Sequence, residues 1–332
     1  DPRMPTLSAL RRRGYTAAAI RDFVSRIGLS KADSVVDTAM LEACVRQDLD
    51  DKALRAMAIL RPLKVVLTNW PEGEKKEIEM ENHPKHPEMG THTVKFGKEL
   101  YIDQEDFMEV PANKFQRMYP GFEVRLKGAY IVKCEGCKKD EEGNIVEVYC
   151  TVDFDSASGT EGANRKIKGK VLHWVSAADA VPFEARLYEP LLADNGEAAE
   201  ETAEEPVVEE IVDVEDAVEF EARLYDPLLS DDGEVEEAAE EAVAEEAADV
   251  EDTEDGEEEM SALTRSDYDF LKTVNKNSLT VLKGVAEPFI RECENGTTFQ
   301  FVRVGYFCKD PDSTDALPVF NRTVGLNGIK LG

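Results

Sequence analysis

Asn113–Lys133 reads NKFQRMYPGFEVRLKGAYIVK. The run FEVRLKGAYIVK alternates apolar with charged residues around one glycine, which predicts a strand-like frame holding a turn. Within the stretch, Lys114, Phe115, Arg117, Tyr119, Phe122, Arg125 and Lys127 interleave cations with rings. In an alternating strand Arg125 and Lys127 point to the same face. Guanidinium groups hydrogen-bond base edges two at a time, and rings stack on splayed bases, so the strip reads as a grip for nucleic acid. A solvent-facing strand with ordinary charges has the same composition, and the residues alone leave both readings open.

Outward from this strip the same period continues. LKVVLTNW, TVKFGKELYI, NIVEVYCTVDF and KIKGKVLHWV are short, rich in Val, Ile, Tyr and Phe, and separated by Gly, Pro, Asn or Asp. Such spacing predicts a barrel or sandwich of mostly antiparallel strands. KKDEEGN signals a hairpin loop, whereas FMEVPANKFQRMYPG is too long for a tight turn and is expected to hold a short helix after Pro111. Beyond about Leu263, SLTVLKGVAEPFI, FQFVRVGYFCKD and LPVFNRTVGL supply further strands.

Upstream, Thr16 to Pro62 reads as helical. Thr16 is placed to cap AAAIRDFVSRI, with Ile20, Phe23, Val24 and Ile27 on one face and Gly28 just past its end. A second helix is expected from about Ala32 to Leu49, and a short third one, capped by Asp50 or Asp51, through Met57. Arg11, Arg12 and Arg13 form a cationic knot that could hold phosphates or simply lie in solvent.

The net charge of −31 argues at first against a polyanionic partner. It is, however, concentrated: Asp194–Glu259 carries 31 acidic residues and one basic, Arg223, and the rest of the chain nets −1. Little apolar surface and strong like-charge repulsion predict disorder for residues 194–260. That segment contains a repeat. Val181–Glu197, VPFEARLYEPLLADNGE, recurs as Val218–Glu234, VEFEARLYDPLLSDDGE, with 13 of 17 positions identical. One copy is expected in the fold and the other in the insert. No apolar run nears the roughly 20 residues that span a bilayer, which suggests a soluble, cytoplasmic protein with no membrane partner. The chain starts at Asp1 rather than Met, as expected of a piece of something longer.

Motifs for chemistry are sparse. Cys134 and Cys137 make one CxxC, but a closed zinc site needs two more ligands and no second pair stands near. His83 and His86 sit in the proline-flanked NHPKHPEMG, read as a loop that merely turns, and His92 and His173 stand alone. No phosphate-binding glycine loop and no nucleophile elbow occurs. We expect no metal and no catalytic residue in this chain.

DPRMPTLSALRRRGYT, NHPKHPEMG, KFQRMYPGFEVRL, HWVSAADAVPFEARLYEPL, GYFCKD and PVFNRTVGL, in this order, resemble the C-terminal half of the bacterial-type glutaminyl-tRNA synthetase family. The resemblance implies α+β architecture: a helical tRNA-contacting subdomain over 1–62, then two mostly antiparallel β-barrels of the ribosomal-protein-like anticodon-binding type. These would use residues 63–193 and 261–332, interrupted by the acidic insert 194–260. It implies a class I, ATP- and Mg-dependent ligase whose catalytic domain lies outside this chain, so that no cofactor is expected in the fragment. It also implies a monomer that binds glutamine-specific tRNA. Position by position, the resemblance assigns Arg55 and Gln300 to the middle anticodon base, Arg117 to the third, and Arg125 with Lys127 to the first. Arg11, Arg12, Arg13 and Lys114 become candidate contacts to the tRNA backbone. Lys127 stands where the family often has arginine, which removes the planar fork. Two alternatives remain: a glutamyl enzyme of the same barrel type, or a protein-interaction module in which the acidic insert docks a partner still unknown.

Overall fold

The helical part is set by its caps. The structure, a computed structural model, describes residues 1–28, 36–189, 275 and 278–327. Helix α1 (Leu7–Arg12) starts where Thr6 accepts from the Ala9 N–H, and α2 (Ala17–Ile27) where Thr16 accepts from Ala19. Gly28 closes α2 at φ +74°, as its position predicts. Ile20 and Phe23 pack inward, but Val24 and Ile27 stay exposed, so half of the apolar stripe is unused.

Two helix expectations are corrected. Helix α3 (Thr38–Lys52) begins at Asp37, whose side chain accepts from Ala39, and not near Ala32; residues 29–35 lie outside the described set. It also runs past Asp50 and Asp51, so neither caps a third helix. Their carboxylates instead serve Lys85, Arg55 and His86, and the chain turns at once into strands.

Those strands are β1 (Leu54–Ala56), β2 (Ala58–Ile59), β3 (Pro62–Leu67), β4 (Lys76–Glu81), β5 (Thr91–Phe96) and β6 (Glu99–Asp103). Next come β7 (Glu123–Leu126), β8 (Ile131–Lys139), β9 (Ile145–Asp153), β10 (Val171–Leu172), β11 (Val175–Ser176) and β12 (Val181–Tyr188). After the undescribed stretch follow β13 (Leu279–Ala286), the one-turn α4 (Phe289–Glu292), β14 (Thr298–Phe301), β15 (Gly305–Lys309) and β16 (Val319–Gly325). No helix follows Pro111. Residues 111–117 turn instead, with Phe115 donating to the Ala112 carbonyl, and Met118 already pairs back to Phe107.

Two seven-stranded, barrel-like sheets result. One runs β10-β7-β8-β9-β3-β6-β11 and the other β1-β14-β15-β16-β12-β13-β2; β4 and β5 form a separate hairpin. Most pairings are antiparallel, and the parallel ones are β1 with β14, β3 with β9, β7 with β10 and β12 with β16. The first sheet closes over Leu67, Phe96, Leu100, Ile102 and Trp174. The second is built around five fully buried rings, Phe183, Phe299, Phe301, Phe307 and Phe320. Tyr306 and Val324 on its outer side seat α2 and α3. The first copy of the repeat supplies β12, a central strand between β16 and β13. The second copy, and the disorder expected for 194–260, lie outside the described residues.

The opening strip folds as its alternation requires. In β7, Val124 and Leu126 are fully buried while Glu123 and Arg125 face outward, and Lys127 continues the outer face. Gly128 makes the turn into β8 at φ +67°, and a Cβ there would sit 2.6 Å from Met80 Cε. Only glycine meets both demands.

Candidate nucleic-acid interface

Arg55 and Gln300, 245 positions apart, are brought face to face by the parallel pairing of β1 with β14, in which they are direct Cα partners. Both are tied to one hub. Gln300 Nε2 donates to the Tyr306 hydroxyl at 3.2 Å, which donates to Asp50 Oδ1 at 3.3 Å. Arg55 is buried and donates to Asp50 Oδ1 at 3.0 Å and to the Asp50 and Ala53 carbonyls at 2.8 and 3.2 Å. Burial and the Asp50 charge push the Tyr306 hydroxyl up to about 12, so it stays a donor. A hydrogen bond from Lys85 holds the Asp50 carboxyl below its usual range. A carboxylate at a helix C-terminus is unfavourable by itself, and Lys85, Arg55 and the histidine loop offset it.

The HPKHP loop therefore does more than turn. His83, almost fully buried, donates from Nε2 to the Asp50 carbonyl at 2.9 Å, and His86 pairs with Asp51 at 3.0 Å. The Asp51 and Glu88 carboxylates raise the His86 pKa. The loop is a buttress that clamps the end of α3 beneath Arg55.

Lys127 belongs to the same neighbourhood. Burial lowers its pKa, and Arg55 adds to the effect against Glu287 and Glu81. His173, beside Trp174, is lowered to about 3 by burial and by the charges of Lys127 and Arg303. It is a neutral imidazole in a cationic setting, which its isolated position in the sequence did not reveal. The site thus gathers cations from both sheets at the level of β1, β7 and β14, as a polyanion partner requires.

Arg117 and Arg125 flank this centre. Arg117 Nη1 lies 3.1 Å from Asp106 Oδ1 and donates to the Glu105 carbonyl at 3.2 Å. Arg125 donates to the Arg165 carbonyl at 3.3 Å. The same strip carries half-buried rings: Tyr119 stacks on Phe122 at 4.3 Å between centroids, and Phe115 stands 6.5 Å from Tyr119. Lys114 is exposed at φ +66°.

The arginine knot divides. Arg11 is exposed. Arg12 forks onto Asp310 with two 2.8 Å hydrogen bonds and reaches Asp312 at 2.7 Å. Arg13 lies over the Tyr15 and Tyr188 rings, 5.3 and 5.0 Å from their centroids. Arg12 and Arg13 thus fasten the helices to the second sheet, and of the three Arg11 is the exposed one.

Cys134 is buried opposite Cys150, and a bulge between Cys134 and Gly136 returns Cys137 to the same core, where all three remain free thiols. Among the described residues no group of three or more His, Cys, Asp or Glu is arranged to hold a metal. None of the described helices is long and apolar enough to cross a membrane.

Comparison with known proteins agrees with this geometry. Residues 53–153 and residues 208–310 each match a family model described as tRNA synthetases class I (E and Q), anti-codon binding domain. The second match takes in the second copy of the repeat, although the first copy forms β12. The chain is 41% identical over 327 residues to the glutamine–tRNA ligase of Clostridium perfringens, covering 98% of this chain and 47% of that protein. It is 40% identical to that of Citrobacter koseri, with the same coverage. The chain spans about half the length of these relatives. It belongs to the class I tRNA synthetases (E and Q), whose anticodon-binding domains it contains.

Proposed function

We propose that this chain is the anticodon-reading part of a glutamine–tRNA ligase, a cytoplasmic, monomeric enzyme that joins glutamine to its tRNA with ATP and Mg. The observation that carries the reading is the register of Arg55 against Gln300, with Lys127 beside them. Two polar side chains from opposite ends of the chain converge where an unstacked base would offer its pairing edge. Single-stranded loop bases present donors and acceptors in pairs, and an Arg or Gln can satisfy two at once.

Arg55 and Gln300 then read the middle base, Arg117 the third, and Arg125 with Lys127 the first, while Phe115, Tyr119 and Phe122 offer stacking surfaces. Arg11 and Lys114 contribute to the sequence-independent hold on phosphates. ATP and Mg belong to the whole enzyme, and no residue of this chain is assigned to them. Glutamine rather than glutamate is favoured by the relatives' names.

Filter binding of glutamine-specific tRNA against an anticodon-swapped transcript tests the reading. We expect weaker binding of the swapped transcript; equal affinity for both overturns base readout.

A further inference from the structure

Asp106 is a buried carboxylate near the interface that serves two arginines, and no sequence motif marks it. It lies in a single 3-10 turn after β6, whose start is fixed by Asp103 accepting from the Glu105 N–H at 3.0 Å. Its side chain is 2% exposed. The backbone of the opening strip is hung on it, because Met118 donates to the Asp106 carbonyl at 2.9 Å.

Its two carboxylate oxygens serve arginines from both sheets. Arg117 Nη1 stands 3.1 Å from Oδ1, while Arg303 forks onto both oxygens at 2.6 and 2.9 Å. Arg303 occupies the turn from β14 to β15, three residues after Gln300, at φ +71°. That left-handed conformation is uncommon for a side chain with a Cβ. Each arginine side chain is about one-third exposed, 34% for Arg117 and 32% for Arg303. Two cations share one anion, so the cluster keeps a net positive charge; Arg303 turns its fork onto the buried carboxylate, while Arg117 meets it through Nη1.

We propose that Asp106 is a positioning residue for tRNA recognition: its buried carboxylate sets the Arg117 fork for base reading and, through Arg303, ties that geometry to the junction of the two sheets. The inference rests on the anticodon reading above. Without the carboxylate, Arg117 keeps only a backbone carbonyl partner and faces the like charge of Arg303, so its fork loses the fixed orientation that bidentate recognition needs.

The test measures affinity of the 332-residue chain for glutamine-specific tRNA and for three transcripts, each changed at one anticodon base. Asp106→Asn keeps the side-chain shape and removes the charge. It is expected to lower discrimination at the third base about tenfold, the loss of one good bidentate contact, while discrimination at the middle base persists. Arg303→Gln leaves the Asp106–Arg117 pair in place and is expected to give a smaller loss at the same base. This second variant decides the matter if Asp106→Asn does not fold. Discrimination at the third base unchanged in the folded variants, or lost equally at all three, overturns the inference and leaves the anticodon reading standing. A wild-type chain that binds all transcripts equally overturns both.

Discussion

His173 and Asp310 show how single buried groups make stability depend on pH in separate windows. Burial, with Lys127 and Arg303, takes the His173 pKa to about 3, against 6.5 when exposed. Between those values the unfolded chain binds the extra proton, so the group's contribution is complete above pH 6.5 and is lost as pH falls, by about 1.4 kcal/mol per unit. Urea unfolding should therefore show about 2 kcal/mol less stability at pH 5 than at pH 7, and His173→Gln should flatten that slope; an unaltered slope would assign it to other groups. Asp310 acts lower. Burial pushes its carboxyl up, but the Arg12 fork, the Asp312 N–H and Asn321 more than reverse this, leaving it below the usual range. Its contribution is present above the ordinary carboxylate pKa and disappears only as pH falls through the depressed value. Asp310 is fully buried and serves both Arg12 and Arg186, so Asp310→Ala removes the buried anion of a cluster in which Asp312, and for Arg186 also Glu184, remain as partners. We expect a loss of about 1–3 kcal/mol by denaturant unfolding.

At the scale of elements, the second sheet depends on its ring cluster. Phe301 stands 4.6 Å from Phe307, 5.1 Å from Phe320 and 5.4 Å from Phe183 between centroids. Phe301→Ala should cost about 3–5 kcal/mol in equilibrium unfolding, and a loss below about 1 kcal/mol would mean that neighbours collapse into the space. β14 also carries Gln300, so the same packing holds it in register with Arg55. The long strands were legible from period-two alternation because each has one face on a core. LRAMAI was not. Its alanines and leucine favour helix by propensity, and it becomes β1 and β2 only because β14 and β13 offer edges to pair with. The turn after Pro111 was misread as helix for a related reason, since Met118 is captured by Phe107 and Asp106. Arg117, Arg125 and Lys127 stand out in the sequence because they share one local strip. Asp106, His173 and Arg303 were not, since each gains its partners across more than 10 positions of sequence through the fold alone.

For the whole molecule, the charge distribution separates the reading surface from the acidic segment. Residues 194–259 carry almost all of the −31 net charge, and the remainder is near neutral with cations gathered at the candidate interface. Like charges repel over distances set by the Debye length, about 10 Å at 0.1 M salt, so a segment netting −30 works against a polyanion partner of the chain. Among the described residues the strands of both sheets are supplied without this sequence, with β12 from Val181–Tyr188 and β13 resuming at Leu279. Deleting residues 194–260 should consequently leave the melting transition of the sheets in place and raise tRNA affinity at low salt. The gain should shrink as salt is added, since screening removes the repulsion that the deletion removes. Discrimination among anticodons should stay constant throughout, because on the proposed reading it comes from short-range contacts at Arg55, Arg117, Arg125 and Gln300. If affinity instead vanishes on deletion, the acidic segment takes part in binding and the division between reader and insert is wrong. If affinity is unchanged at every salt concentration, the segment lies too far from the bound tRNA for its charge to be felt.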